Sequence, residues 1–304
     1  MQLSPEAYAL AAGFLDQRAR PLEAALFGHS FGGAPATAAV SELEKFANPD
    51  SGFGHGLEPD LCVPDSSGLA TSHGLTILRE LGQPADHPLV AGALAWLVEN
   101  FDSDVSAWRA VPPNVDEHPR APHWNAALHA PGGGWPVAVI PSAEVLSHFL
   151  HYGAGRDEQI SAATTALLDA LPETSLGPDS VLYLDRLART EGIPGALEDA
   201  LAEHLPRLAL DMVERDPDQW DGYVANPLKL APTPSCRVAS VLSEWVDTNL
   251  DWALERQRPD GSWAPNWTWQ GNHPEAWEIA HVEWQGILTL ERLESFRAYG
   301  RIAS

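Results

Sequence analysis

Short turns rich in Pro, Asp and Gly, each followed by an aromatic residue, recur along this sequence and constrain its fold most strongly. The clearest is Gln257-Arg258-Pro259-Asp260-Gly261-Ser262-Trp263, which follows a segment with helical spacing of its apolar residues. Weaker copies begin at Asn48, Phe101, Pro131 and Asp216. Such turns, separated by one or two units of roughly 40–50 residues, are typical of stacked helical hairpins. Because one hairpin cannot bury its own apolar face, each aromatic residue is expected to pack against the next helix pair.

The segments between these turns have the apolar periodicity of α-helices, and the sequence predicts about a dozen of them. A second helix is expected over Pro21–Phe27, with Gly28 as its end. A helix over Pro194–Glu214 is expected to break at Pro206, and the final helix is expected over Pro274–Tyr299. The sequence therefore predicts an all-α fold in a single domain over residues 1–304, with a long irregular insertion at about 102–140.

Composition excludes several classes of function. The net charge of −24 repels phosphate backbones and anionic lipid head groups, so nucleic-acid and membrane partners are not expected. The longest apolar run, Ala91–Val98, is too short to span a bilayer, and the N-terminal segment has no secretory pattern. Two cysteines, Cys62 and Cys236, cannot build a disulfide framework. These features predict a cytoplasmic, acidic protein.

The turn after residue 256 also carries a resemblance to a known family. Gln257-x3-Gly261-x-Trp263 matches the Q-x3-G-x-W core of the QW repeat of squalene–hopene cyclases. The chain thus resembles the terpenoid-cyclase and protein-prenyltransferase superfamily, which implies an α/α toroid, an (α/α)6 barrel of about six hairpins, with Gln257 and Trp263 in structural roles. Gly52–Asp60 and Tyr299–Ile302 also resemble actinobacterial proteins with prenyltransferase or squalene-cyclase repeats.

The catalytic motifs of that superfamily are incomplete here. Class II cyclases protonate their substrate with the middle residue of Asp-x-Asp-Asp, since a carboxyl group in a water-poor pocket can stay protonated. The nearest strings, Asp102-Ser103-Asp104-Val105 and Asp216-Pro217-Asp218-Gln219, lack the last Asp and lie at predicted turns. They are therefore interpreted as turns. No Asp-Asp pair exists, so a Mg²⁺–diphosphate site is not expected.

Two weaker motifs predict other chemistries. Asp60-Leu61-Cys62, with His118, His123 or His129 downstream, has the spelling of the prenyltransferase zinc site, although a three-residue match is weak and no metal is expected. Gly28-His29-Ser30-Phe31-Gly32 spells the nucleophile elbow of serine hydrolases, but that motif needs a preceding strand. A helix end at Gly28 is the preferred interpretation.

The acid–base groups are predicted in the Gly52–Ser67 loop, which is long, rich in glycine and acidic. His55, Glu58 and Asp60 are the candidate catalytic residues, and His73 on the following helix is a candidate substrate contact. The alternative interpretation is a solvated loop that caps the next helix.

Aromatic side chains are the predicted walls of the binding cavity. His123 and Trp124 belong to the irregular insertion, and Trp267 and Trp269 lie in an aromatic cluster near the C-terminus. The π faces of such rings stabilise carbocations and also stack on sugars, although packing alone explains many tryptophans.

These observations and the resemblance predict a terpenoid-cyclase-like protein that binds an apolar small molecule and rearranges it by acid–base chemistry. Its class would be isomerase, cyclase or lyase, and no cofactor is expected. One alternative is a non-catalytic binding protein of the same fold. Another is a carbohydrate-active (α/α)-barrel enzyme, which paired carboxylates about 5–10 Å apart would favour.

Overall fold

Helices dominate the structure, a computed structural model that describes residues 1–172 and 176–303. Thirteen α-helices form within these ranges, and pairing between extended segments is limited there to isolated bridges. The prediction of an all-α fold is confirmed. No helix in the described part of the chain combines the length and the apolar composition required to cross a membrane.

The helices form two compact units, which are described separately. The first comprises Met1–Glu42 and Ala209–Ser304, and the second comprises Leu43–Leu208. Helices of the first are α1 (Pro5–Arg18), α2 (Pro21–Gly32), α11 (Pro227–Leu230), α12 (Ala239–Glu255) and α13 (Pro274–Ala298). Helices of the second are α4 (Gly68–Glu80), α5 (Pro88–Glu99), α6 (Ala126–His129), α7 (Ser142–Tyr152), α8 (Asp157–Ala170) and α9 (Pro178–Ala188). The chain passes between the units within α3 (Ala36–Leu43) and α10 (Gly195–Met212).

Helix α2 is longer than its sequence predicts. Gly28 lies inside the helix, which ends instead at Gly33 in the left-handed region with φ of 69°. The N–H of Gly33 donates to the Gly28 carbonyl, so the helix end is satisfied five residues later than expected. A glycine inside a helix costs only about 1 kcal/mol, which the packing of α2 against α1 and α13 offsets. The Gly28–Gly32 string is therefore helical, and a nucleophile elbow is excluded.

Helix α10 passes through Pro206 without ending there, contrary to the predicted break. A proline inside a helix removes one backbone hydrogen bond but does not require termination where neighbouring turns are packed. Leu201, Leu205 and Ala209 are buried on either side of Pro206. Burial of this apolar face holds the helix together across the proline.

The turn around Gly261 belongs to the scaffold of the first unit. Gln257 Nε2 donates to the carbonyls of Ala7 at 2.8 Å and Gly261 at 3.0 Å, which joins this turn to α1. Trp263 Nε1 donates to the Ala253 carbonyl at 2.7 Å, near the end of α12. These bonds satisfy carbonyl groups and connect helix ends.

The aromatic residue after each turn makes the same backbone contact in three places. Its N–H donates to a Ser or Thr hydroxyl on a helix that follows later in the chain. The three pairs are Phe53 with Thr71 at 3.0 Å, Trp108 with Ser142 at 3.0 Å, and Trp263 with Thr289 at 3.1 Å. Because these N–H groups are buried, the hydroxyl replaces the water they would otherwise bind.

The aspartates of the turns have a common local role as well. In each, the Oδ1 atom accepts a hydrogen bond from the N–H two residues later, which forms an Asx turn. The four are Asp50, Asp102, Asp216 and Asp260. The interpretation of 102–105 and 216–219 as turns agrees with these bonds.

Between α5 and α7 the second unit is mostly irregular, with α6 and a short 3-10 turn at Val115–Glu117. After this segment, α7 packs against α4, α5, α8 and α9. Helices α4, α7 and α9 thus lie next to each other and bring polar residues from distant parts of the sequence together.

Candidate functional site

Glu144 near the start of α7 is the centre of a polar cluster in the second unit. Its side chain is buried, and its two oxygens accept hydrogen bonds from Ser72 Oγ on α4 at 2.8 Å and from Arg186 Nη1 on α9. Burial alone would raise the pKa of Glu144, but Arg186 and His148 together with Ser72 outweigh it and hold the pKa at about 2. Glu144 is therefore ionised at neutral pH and cannot serve as a proton donor there.

His148, one helical turn after Glu144, is buried and neutral. Its Nε2 lies 3.0 Å from the Ser72 carbonyl, which can only accept, so Nε2 carries the proton and Nδ1 does not. Burial lowers the pKa of His148 to about 4, although Glu144 acts in the opposite direction. Its Nδ1 has no hydrogen-bond partner among the described residues. Thr76 adds a contact at 3.4 Å.

Three side chains next to this cluster are accessible to water and yet strongly desolvated. The Arg186 side chain is 40% exposed, Tyr183 is half-buried, and Glu80 is exposed. Desolvation is nevertheless the main cause that raises the pKa of both Glu80 and Tyr183. Exposure and desolvation occur together in side chains that line a concavity, because protein surrounds the side chain while water still reaches it. We call these three residues, with Glu144 behind Arg186, the α4–α7–α9 recess.

The recess residues influence one another electrostatically. Glu144 raises the pKa of Tyr183 and Glu80, whereas Arg186 lowers both. Burial would lower the pKa of Arg186, but the neighbouring carboxyl groups raise it. At neutral pH the recess therefore contains a protonated phenol, a permanent cation, and a carboxyl group that is easier to protonate than an ordinary glutamate.

A polar cavity of about 390 Å³ lies at the C-terminal ends of the same helices. Arg79, Leu150, His151, Arg189 and Glu191 line it. Arg79 donates to Ser147 Oγ at 2.8 Å, and Arg189 pairs with Asp185 at 2.8 Å. Burial lowers the pKa of Arg79, and repulsion from Arg189 adds to this effect.

The predicted catalytic residues of the Gly52–Ser67 loop occupy different environments. His55 is exposed in the left-handed region with φ of 54°. Asp60 is 4% exposed, and its carbonyl accepts the Ala121 N–H at 2.8 Å. Glu58 is half-buried and raises the pKa of Tyr183 through its charge. Of the three, Glu58 is the one whose charge acts on the recess.

His73 on α4 is also connected with the polar cluster, because its charge lowers the pKa of Glu144. The side chain is half-buried. Its proposed contact with substrate remains a prediction.

The zinc alternative lacks support from the described residues. Cys62 Sγ donates to the Pro59 carbonyl at 3.3 Å, and its backbone N–H donates to the Pro119 carbonyl. Within residues 1–172 and 176–303, no group of three or more potential ligands comes close enough to hold a metal ion.

The predicted wall residues of the insertion form a stacked aromatic group in the second unit. Trp124 is 6% exposed, and its ring lies 4.8 Å from His123, 5.3 Å from His129 and 4.9 Å from Trp135, between ring centres. Burial lowers the pKa of His129 to about 4. The Trp124 ring is therefore mostly used in packing.

The other predicted walls, Trp267 and Trp269, lie in the first unit. Trp269 is 1% exposed and packs on Trp277 at 5.6 Å. Trp267 is half-buried, with its ring 5.0 Å from Trp284 and 6.1 Å from Tyr223. Trp267 keeps an accessible face, whereas Trp269 does not.

Sequence reasoning did not find Glu80, Glu144, Tyr183 or Arg186. Each stands alone in a helical segment, without a motif around it. The available signal was weak: Glu144 sits in the first turn of a helix whose neighbours are apolar, and a charged residue at such a position needs a partner. That partner lies 42 residues further along the chain.

Comparisons with known proteins identify the fold. No family model and no curated protein matches the chain. Among solved structures, it is similar to an alanine variant of the type II terpene cyclase MstE from Scytonema in complex with its product merosterolic acid A. The TM-score is 0.55 at 15% identity over 96% of this chain and 97% of the other. The apo form of MstE gives a TM-score of 0.53 at 14% identity over 96% and 98%. The chain thus has a helical fold similar to that of type II terpene cyclases, which agrees with the terpenoid-cyclase part of the resemblance.

Proposed function

We propose that this protein binds a small, largely apolar molecule in the α4–α7–α9 recess and rearranges it by proton transfer, as a cyclase or isomerase. The observation that carries the proposal is Glu80: the residue is exposed, its carboxyl group is desolvated and close enough to Arg186 for that charge to lower its pKa, and it makes no hydrogen bond within the described residues. A carboxyl group whose pKa is raised by desolvation can hold a proton at neutral pH and donate it. The fold of type II terpene cyclases supports the choice of substrate class.

Each residue of the recess has a distinct role in this reaction. Glu80 donates a proton to the substrate, and its resulting carboxylate takes a proton back from the rearranged cation, so the mass is unchanged. Tyr183 stays protonated and orients a polar group, while Glu144 holds Arg186 in place through its carboxylate. Glu58 remains a candidate acid–base group because its charge acts on Tyr183, and His73 and Trp124 remain candidate contacts.

Turnover of acyclic isoprenoids tests this function directly. The purified protein would be incubated with farnesol, geranylgeraniol and squalene, and products of unchanged mass identified by gas chromatography–mass spectrometry. We expect Glu80→Gln to lower the rate by about 10²–10⁴-fold, the usual contribution of a general acid. The wild-type rate should fall as pH rises, because Glu80 must be protonated to act. Glu203→Gln, on a carboxylate 67% exposed, is the matched control.

The sequence-predicted groups are tested in the same assay. If Glu58 and Asp60 take part, Glu58→Gln and Asp60→Asn will lower binding or turnover while the fold is kept. Variants indistinguishable from wild type would remove both residues from the site.

A second candidate is non-catalytic binding by the same recess. Glu144, the most buried carboxyl group of the recess, is ionised and paired with Arg186 rather than available as an acid. Ligand binding without any product in the assay above would favour this alternative.

A further inference from the structure

Arg186 has two distinct sides. Nη1 donates to Glu144, and this is the only hydrogen bond of its guanidinium within the described residues. The remaining N–H groups have no protein acceptor there, although 40% of the side chain is accessible. A guanidinium presents five N–H donors in a planar fork, so most of its donor capacity is unused.

The surroundings of this open side include a further hydrogen-bond donor. Tyr183, one turn earlier on α9, has a protonated phenol that makes no hydrogen bond among residues 1–172 and 176–303. Desolvation raises the pKa of Glu80, which makes its neutral form easier to reach. The ionised carboxylate of Glu144 is bound by Ser72 and by Arg186 itself.

Charged groups of both signs lie near the recess. Arg79 and Arg189 both act on Glu80, where they favour the ionised carboxylate. Asp185 neutralises Arg189, and Glu144 neutralises Arg186, whereas no carboxylate pairs with Arg79 in the described part of the chain. Glu191 lines the cavity with Arg79, and Glu58 and Asp179 act on Tyr183, so these charges leave no net positive excess. The open donors of Arg186 favour an anion locally, and a monoanion meets less repulsion from the surrounding carboxylates than a dianion.

We propose that the ligand carries a carboxylate, which the open side of Arg186 binds with the Tyr183 hydroxyl as a second donor. A planar carboxylate matches the planar guanidinium fork, and a charge-assisted pair of this type is stronger than a neutral hydrogen bond. Glu144 and Ser72 orient Arg186 from behind. This inference rests on the proposed function and adds to it the chemical class of the substrate head group.

Matched ligands that differ in the head group test this inference. Farnesoic acid, farnesol and farnesyl phosphate share one isoprenoid chain, and their dissociation constants would be measured by isothermal titration calorimetry. We expect wild-type protein to bind the acid at least about 10-fold more tightly than the alcohol. Arg186→Lys, which keeps the charge but not the fork, should reduce this ratio severalfold, and Tyr183→Phe should reduce it as well. Arg207→Lys, on a side chain 69% exposed, is the control that should keep the ratio.

The ratio of the dissociation constants for alcohol and acid distinguishes ligand recognition from a structural role. A general loosening of the fold would weaken the binding of all three ligands together. Tyr183→Phe leaves the Glu144 pair intact and keeps the test valid if Arg186→Lys fails to fold. Equal binding of acid and alcohol, or an unchanged ratio in folded Arg186→Lys, would overturn the carboxylate proposal and leave the proposed function standing. Tighter binding of the phosphate would overturn the carboxylate assignment too. Binding of none of the ligands would overturn the proposed function and this inference with it.

Discussion

Two buried histidines, His129 and His148, determine how the stability of the second unit responds to acid. Burial lowers both pKa values from 6.5 to about 4. Between these pH values the unfolded chain binds protons that the folded chain does not, so stability falls as pH falls through this window. The stabilisation that Glu144 provides is lost at lower pH. Its pKa is depressed from 4.5 to about 2, so the loss begins only below pH 4.5.

We expect the free energy of unfolding to fall by up to about 3 kcal/mol per histidine between pH 7 and pH 4. Urea denaturation at intervals of half a pH unit would measure it. His148→Gln keeps an N–H donor for the Ser72 carbonyl but cannot titrate, so its slope between pH 6.5 and pH 5 should be about half that of wild type. His55→Gln, at an exposed position, is the control. A slope unchanged in His148→Gln would contradict the argument.

At the scale of the element, the turns between helices carry most of the predictable structure. An Asp that forms an Asx turn depends on a neighbour two residues away, whereas the close approach of a turn glycine and the bond from an aromatic N–H to a hydroxyl involve other helices. The turn at Gly261 has all three features: Asp260 accepts the Ser262 N–H, and Trp263 donates to Thr289. This turn was assigned to the scaffold because Gln257-x3-Gly261-x-Trp263 resembles the QW repeat.

Gly261 and Gly271 form a matched pair for testing how much this turn contributes. Both have left-handed backbone, with φ of 90° and 83°. A Cβ at Gly261 would lie 2.3 Å from the backbone of Leu10, whereas nothing lies within 4 Å of one at Gly271. We expect Gly271→Ala to cost about 1–2 kcal/mol, the cost of left-handed backbone alone, and Gly261→Ala to cost more than about 4 kcal/mol. Thermal unfolding of both variants would measure the difference, and equal costs would show that the contact with α1 is not tight.

At the scale of the whole molecule, the net charge predicts which charged ligands can approach the protein. The chain has 42 Asp and Glu against 18 Lys and Arg. Three of the arginines act on Glu80, so basic residues that are scarce in the whole chain are concentrated near the recess. A surface of this net charge slows the approach of polyanions but leaves room for a small anion at one site.

We therefore expect no binding to duplex DNA, even at a salt concentration of about 50 mM, where electrostatic attraction to DNA is strong. An electrophoretic mobility-shift titration with labelled duplex would measure this, with a basic DNA-binding domain as positive control. A dissociation constant tighter than about 10⁻⁶ M would contradict the prediction, since it would require a basic face that the composition does not suggest.

Helix boundaries show which parts of the fold can be predicted from the sequence alone. The last helix was predicted over Pro274–Tyr299 and observed over Pro274–Ala298, because apolar periodicity and a proline at the start are local signals. Gly28 was predicted to end α2 but lies inside it, because the contacts of α2 with neighbouring helices favour a longer helix over its weak stop signal. The helix preference that glycine lacks is about 1 kcal/mol, and the packing of α2 against its neighbours outweighs it.

The candidate site was decided by the tertiary structure. Ser72, Glu144 and Arg186 are separated by 72 and 42 residues, and nothing in the sequence indicates that they meet. By itself the sequence determined the helices and the turns, because each depends on neighbours within a few residues, while the resemblance to the QW repeat implied the scaffold role of Gln257 and Trp263. Packing of α4, α7 and α9 then decided which carboxyl group is ionised at Glu144 and which is easily protonated at Glu80. The physical reason is that a pKa depends on the charges and the solvent around a group, which three separate helices supply together.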